Sequence, residues 1–154
     1  MTLQSLELRI PPPAVAAVAA LAMWGIATAV PHGTALPARI AGAWIIAALG
    51  IAIAASGVIA FRHARTTINP TKPDTSSSLV CGGVFRITRN PMYLGLLLLL
   101  FSFAIYLSSV WALPILPLFA AYIDRFQIAP EERVLSRLFG ADYATYKAKV
   151  RRWI

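Results

Sequence analysis

One charge-free stretch decides the fold: residues 90–123 read NPMYLGLLLLLFSFAIYLSSVWALPILPLFAAYI. A single helix of these 34 residues would be about 50 Å long, whereas the hydrocarbon core of a bilayer is roughly 30 Å thick. The pair of serines at 108–109 lies midway along the stretch. We therefore expect a tight hairpin of two membrane helices, Tyr93 to Leu107 and Val110 to Phe126, the second kinked by the two prolines near its start.

Two more charge-free stretches lie upstream, at residues 10–38 and 40–61. The three stretches together make up 85 of the 154 residues, and only 13% of the chain is charged. A soluble domain of this size cannot hide so much apolar surface from water. The upstream stretches therefore predict two further spanning helices, Ala14 to Val30 and Ile40 to Phe61.

The composition excludes several classes of protein. With 58% apolar residues, the chain is neither a soluble enzyme nor a disordered protein. Cys81 is the only cysteine, which excludes a disulfide-stapled module. A signal peptide ending at residues 27–29 is the alternative for the first helix, but the segment before it pairs Glu7 with Arg9 and is not clearly basic.

The sequence predicts a single membrane domain over residues 1–154. Two N-terminal spans (1–61) are followed by a cytosolic connecting loop (62–90), which prolines and glycines interrupt. The helical hairpin (91–126) comes next. The tail (127–154) is charged and carries an apolar stripe with helical spacing, so we expect an amphipathic helical segment there.

Lysine and arginine are distributed unevenly along the chain. Five lie in the loop 62–90 and seven lie beyond residue 123, but the turn near Ser108 has none. This bias places both termini and any site in the cytoplasm, as in a bacterial inner membrane. The formal charge of +8 then indicates a basic face against anionic lipids rather than nucleic-acid binding. The tail cations predicted to face lipid are Lys147, Lys149, Arg151 and Arg152.

The loop and the tail carry the sequence motifs. The motifs are Gly83-Val84-Phe85-Arg86, Arg89-Asn90-Pro91-Met92-Tyr93-Leu94-Gly95, Glu131-Glu132-Arg133-Val134-Leu135 and Phe139-Gly140 followed by Tyr143 and Tyr146. This pattern resembles the integral-membrane methyltransferases, which include isoprenylcysteine carboxyl methyltransferases and phospholipid methyltransferases. The resemblance covers about residues 66–154. It implies S-adenosyl-L-methionine as methyl donor, bound at the cytosolic ends of the last two helices and covered by the tail.

The chemistry of the residues matches this donor, which is a zwitterion with a sulfonium group. Arg86 and Arg89 offer cations to its carboxylate. Glu131 and Glu132 offer acceptors to its amino and hydroxyl groups, and Tyr93 offers an aromatic face to the sulfonium. The candidate cofactor-binding residues are Val80, Gly82, Gly83, Arg86, Arg89, Asn90, Pro91, Tyr93, Glu131 and Glu132. The candidate catalytic residues are Arg89, Tyr93 and Glu132.

The acceptor is expected to be a lipophilic or membrane-bound small molecule, such as an isoprenylcysteine carboxylate or a phospholipid amine. Asn90 stands where the isoprenylcysteine enzymes have histidine, which leaves the acceptor open. An ionised acceptor needs no general base, so positioning and exclusion of water can carry catalysis. His32 and His63 are too isolated to predict a zinc site.

Two other functions remain open on the sequence. An NADPH-dependent reductase of the sterol-reductase type would need an acid to protonate its product, and the spans offer no obvious one. A non-enzymatic lipid-binding subunit would tolerate loss of Arg89 and Glu132. Without a catalytic role, Arg89 would be an anchor at the membrane interface and Glu132 an acid at the start of a helix. Membrane lipids are expected partners, and the small residues of the second span, among them Gly50 and Gly57, would permit a homo-oligomer.

Overall fold

The computed structural model describes residues 7–30, 33, 36–65 and 77–154, and over these ranges the chain is helical with no strand. The elements are α1 (Pro12–Ala29), α2 (Pro37–His63), a 3-10 turn (Gly83–Arg86), α3 (Pro91–Tyr106), a 3-10 turn (Val110–Ala112), α4 (Ile115–Ile123), a π-helical turn (Asp124–Ile128) and α5 (Ala129–Lys149). Residues 66–70, where the family resemblance begins, and His32 lie outside the described residues.

Prolines mark the starts of the first three helices. Pro12, Pro37 and Pro91 each lie in the first turn, where a helix needs no N–H donor and the fixed φ of proline favours helix formation. The first three predicted spans are confirmed to within three residues at each end. α1 and α2 are long and apolar enough to cross a membrane, and α3 is a shorter apolar helix of 16 residues.

Helices α2 and α3 approach each other through glycine. A Cβ on Gly95 would lie 2.6 Å from the carbonyl oxygen of Gly50 and 2.7 Å from the Cβ of Ala54. A Cβ on Gly57 would lie 2.8 Å from Cγ of Pro91. Only small residues allow so close a contact. The small residues of α2 thus serve the contact with α3, and a homo-oligomer stays a prediction.

The second arm of the hairpin continues further than predicted. From Ile115 the helix runs through the π-helical turn into α5 and on to Lys149, rather than ending at Phe126. With the preceding 3-10 turn it forms a helical unit of 40 residues, about 60 Å if straight, twice the thickness of a bilayer core. Residues 110–123 carry no charge. The membrane-spanning part therefore ends near residue 124, and α5 lies beyond it.

The two prolines lie where the second arm changes from the 3-10 turn to α4, and a break in the helix lies further along. Pro114 precedes α4 and Pro117 lies in its first turn, so neither removes a helical hydrogen bond. The break comes at Gly140, whose φ of 48° and ψ of −119° depart from the helix. Glycine adopts this positive φ without the steric cost of a side chain.

Two apolar clusters hold the molecule together. In the first, Met23 of α1 is fully buried against Tyr93 and Leu100 of α3 and Phe119 and Ile123 of the second arm. The second cluster packs the loop before α3 onto α5. Its buried members are Phe85, Tyr143, Tyr146 and Val150. The second cluster therefore places the loop and the tail side by side at one end of the bundle.

The segment before α1 is bound to the π-helical turn. Glu7 pairs with Arg125 at 2.6 Å and also with Arg133. The side-chain amide of Gln127 donates a hydrogen bond of 2.7 Å to the carbonyl of Ile10. These contacts fix the start of α5 relative to α1.

We predict that Gly50→Ala lowers the free energy of unfolding in detergent by about 2 kcal/mol, because its Cβ would overpack the contact with α3. That Cβ would lie 2.9 Å from the carbonyl oxygen of Gly95. The control is Gly42→Ala, also on α2, whose Cβ would have no neighbour within 4 Å. Equal melting temperatures for the two variants would contradict the glycine packing.

Candidate functional site

Backbone hydrogen bonds join the tail to the start of α3. The amide N–H of Arg89 donates to the carbonyl of Arg151 at 3.1 Å. The side chains of Asn90 and Thr88 donate to the carbonyl of Arg152, at 2.9 Å and 3.3 Å. Asn90 occupies the N-cap position of α3, but its side chain makes no capping bond. It holds the tail instead.

A single carboxylate lies at the centre of the charged end. Glu132, in the first turn of α5, is buried. Arg152 donates two hydrogen bonds to this carboxylate, from Nη2 to Oε2 at 2.8 Å and from Nε to Oε1 at 3.2 Å. Nη1 of Arg89 lies 3.1 Å from Oε1, and Nζ of Lys147 lies 3.8 Å from Oε2. Arg152 also reaches Oδ1 of Asp124 at 3.5 Å.

The three cations decide the charge of Glu132. Burial acts to raise its pKa, but the hydrogen bond from Arg152 and the charges of Arg89, Arg152 and Lys147 outweigh burial. The pKa of Glu132 is therefore held below its usual value. The group is an anion at neutral pH and binds the α3 start, α5 and the tail together.

The neighbouring carboxyl has a different environment. The hydroxyl of Tyr93 donates a 3.0 Å hydrogen bond to Oε2 of Glu131. Burial raises the pKa of Glu131 to about 7; the Tyr93 hydrogen bond opposes this shift, and the charge of Glu132 adds to it. The two adjacent carboxyls thus differ, one being ionised and the other close to half-protonated at neutral pH.

Buried polar atoms without hydrogen bonds test whether these residues fit the implied methyl donor. Nε and Nη1 of Arg89 are buried and make no hydrogen bond, although Nη1 lies beside Glu132. The hydroxyl of Tyr122 and Oε1 of Gln127 are in the same state. Guanidinium donors next to carboxylate acceptors suit a ligand that carries both a carboxylate and an ammonium group. The residues present therefore fit S-adenosylmethionine.

The structure brings six of the ten predicted site residues together. They are Arg89, Asn90, Pro91, Tyr93, Glu131 and Glu132. The other four lie on the loop before α3. Val80 packs against the second apolar cluster, and Gly83, next to Gly82, has a φ of 60°. Arg86 is exposed and lines a groove of about 410 Å³ with Cys81 and Lys149, a lining that does not include Arg89. The roles of all ten residues in cofactor binding or catalysis stay predictions.

Sequence reasoning missed Arg152. The prediction that Arg152 belongs to a lipid-facing basic patch is wrong, because Arg152 is bonded to Glu132 and Asp124. No spacing rule links a cation in the tail to a glutamate twenty residues earlier. Tyr143 and Tyr146 pack in the second apolar cluster, and Tyr146 also donates a 2.8 Å hydrogen bond to the carbonyl of Phe85.

Comparison with known proteins gives two matches. A family model described as phospholipid methyltransferase matches residues 38–142. A protein of Haemophilus influenzae, described only as an uncharacterized protein, is 44% identical over 63 residues, which cover 41% of this chain and the whole of that relative. No solved structure matches the chain.

We predict that Arg152→Ala lowers the free energy of unfolding by about 1 kcal/mol, a modest figure because the arginine is partly exposed and Glu132 keeps two other cations. The pKa of Glu132 is lowered in the folded state, so its contribution is present at neutral pH and is lost as the pH falls. In the variant this pKa rises, and acid unfolding begins at higher pH. Thermal melts across a pH series measure both effects. The control is Arg151→Ala, because Arg151 is exposed and bonds Arg89 only through its backbone carbonyl. If the melting temperatures of the two variants fall in the same way as the pH is lowered, the role of Arg152 is refuted.

Proposed function

The chain belongs to the phospholipid methyltransferase family, and from this premise we propose that it transfers a methyl group from S-adenosylmethionine to a lipophilic acceptor held in the membrane. Two acceptor classes fit the family resemblance, a phospholipid amine and an isoprenylcysteine carboxylate. The observation that carries the proposal is the buried cluster in which Arg89 and two glutamates meet at the end of the apolar helices.

The protein groups divide the recognition of the donor among them. Arg89 offers its buried guanidinium to the carboxylate of the donor, since Nε makes no hydrogen bond and Nη1 makes only the ion pair with Glu132. Glu131 and Glu132 accept from its ammonium and hydroxyl groups. Tyr93, buried at the start of α3, presents an aromatic ring to a cationic centre. These three interactions orient the ligand without covalent chemistry.

When bound, S-adenosylmethionine would supply a methyl group on its sulfonium; transfer of this group to an acceptor nucleophile, in line with the breaking C–S bond, would release the sulfur as the neutral thioether of S-adenosylhomocysteine. The chain contributes positioning and exclusion of water. The tail, bonded to the start of α3 through the carbonyls of Arg151 and Arg152, covers the cluster on one side. An anionic acceptor needs no base, and an amine needs only to be neutral when it attacks.

The location of the site supports an acceptor that approaches from the membrane. The cluster lies where the charge-free part of the second arm gives way to the charged α5. The excess of lysine and arginine at this end supports a cytoplasmic orientation for the site and both termini. A lipid in the cytoplasmic leaflet would then present its headgroup at the level of the cluster.

We predict that the detergent-purified protein binds S-adenosylmethionine saturably by calorimetry and that Arg89→Ala and Glu132→Ala each weaken this binding at least about tenfold, the effect of losing one charged hydrogen bond. The control is Arg151→Ala, which should bind as the wild type does. Circular dichroism checks that each variant keeps its helices. Wild-type affinity in a folded Glu132→Ala variant would contradict the assigned role.

The same titration with NADPH separates the alternatives. Binding of NADPH without S-adenosylmethionine would make the protein a reductase, and binding of neither ligand in lipid nanodiscs would make it a non-enzymatic subunit. A donor-binding protein is then incubated with a methyl-labelled donor and membrane lipids. Label in the lipid extract identifies the acceptor class, since phospholipid amines and carboxyl methyl esters differ in stability to base.

The donor affinity should rise with pH through about 7, because the ammonium group of the donor is bound by the ionised form of Glu131, whose pKa is raised to about 7. Tyr93→Phe removes a hydrogen bond that favours this ionised form, so its affinity midpoint should move to higher pH. Tyr106→Phe, at the exposed far end of α3, is the matched control. An affinity that is independent of pH would argue against Glu131 as the group that binds the ammonium of the donor. The same pH midpoint in Tyr93→Phe and in the wild type would argue against it too.

A further inference from the structure

A groove of about 500 Å³ lies at the opposite end of the bundle from Glu132, where α2 begins and the turn between α3 and α4 lies. Most of its lining is apolar, including Phe101, Ile105 and Trp111. Trp111 is 60% exposed, as expected for an aromatic side chain at the level of lipid headgroups. The groove is remote from the proposed methyl-transfer site and is independent of it.

One cation lies at this groove. Arg39 lines it from the first turn of α2 and is exposed. Its Nη1 lies 3.6 Å from the point that a Cβ on Gly33 would occupy, and the amide of Gly33 donates to the carbonyl of Ser108. The guanidinium therefore lies over the turn. Among the described residues, the salt bridges all involve carboxylates at the other end, and none reaches Arg39.

Two serines that line the same groove have hydroxyls without a hydrogen-bond partner. Ser109 is 3% exposed, lines the groove, and its Oγ makes no hydrogen bond. The buried Oγ of Ser108 beside it is in the same state. A buried hydroxyl without a partner is unusual in a folded protein, since its desolvation is not compensated. These two serines are thus an observation independent of the charge of Arg39.

The chemistry of the groove selects an anion attached to an apolar chain. A guanidinium and two hydroxyl donors suit an anion that accepts several hydrogen bonds, as the two non-bridging oxygens of a phospholipid phosphate do. The apolar lining suits an acyl chain. We propose that this groove binds a membrane phospholipid in the leaflet opposite the methyl-transfer site, with its phosphate at Arg39, Ser108 and Ser109 and an acyl chain along Phe101.

Native mass spectrometry of the detergent-purified protein, titrated with phosphatidylglycerol, tests the proposal. Arg39→Gln should weaken lipid binding about tenfold and Ser109→Ala about threefold, as expected for a charged and a neutral hydrogen bond. The control is Arg62→Gln, an exposed cation in the last turn of the same helix, which should bind within about twofold of wild type. Equal losses for Arg39→Gln and Arg62→Gln would overturn the proposal, because binding would then follow net charge alone.

Two further experiments test whether the groove binds a lipid rather than free phosphate, and whether the lipid needs its phosphate to bind. Inorganic phosphate at millimolar concentration should not displace the lipid; if it does, the groove is a simple anion site and the lipid proposal fails. Diacylglycerol, which lacks the phosphate, should bind at least about tenfold more weakly; equal binding would also overturn the proposal. Ser109→Ala removes one buried hydroxyl that has no hydrogen-bond partner, so it carries the test if Arg39→Gln does not fold.

Discussion

The buried carboxylate of Glu132 is the constraint on which the charged end of the molecule depends. A carboxylate in that position is costly unless cations surround it. The cations come from three parts of the chain: Arg89 before α3, Lys147 late in α5, and Arg152 in the tail. The tail therefore has to return to the start of α3, and the hydrogen bonds that Arg89 and Asn90 make to its carbonyls follow from that return.

The apolar half of the molecule fixes where this cluster forms. Gly57 lies against Pro91 and Gly50 lies against Gly95, so α3 is held at a close distance from α2. Since Arg89 and Tyr93 flank Pro91 in the chain, the same packing sets the height of both side chains at the membrane boundary. The position of α3 thus depends on glycine contacts within the bilayer and on ion pairs outside it.

The sequence was sufficient for the spans because charge-free runs and prolines have direct physical consequences in a membrane. The motif residues that adjoin in the chain, such as Glu131 with Glu132, also meet in the fold. Ion pairs between residues far apart in the sequence were not predictable. Arg152 reaches Glu132 because α5 bends at Gly140 and the tail turns back. Composition also could not say which neighbour would cover the small residues of α2.

Photo-crosslinking of an azido derivative of S-adenosylmethionine, followed by peptide mapping, tests the central claim most directly. The account predicts label on peptides from residues 79–93 and 129–153, abolished by excess S-adenosylhomocysteine and unaffected by NADPH. These segments carry the cluster around Glu132. Two results would contradict the assignment of this cluster as the donor site. One is label that S-adenosylhomocysteine abolishes but that maps only to α1 or to the middle of α2, and the other is label that only NADPH displaces.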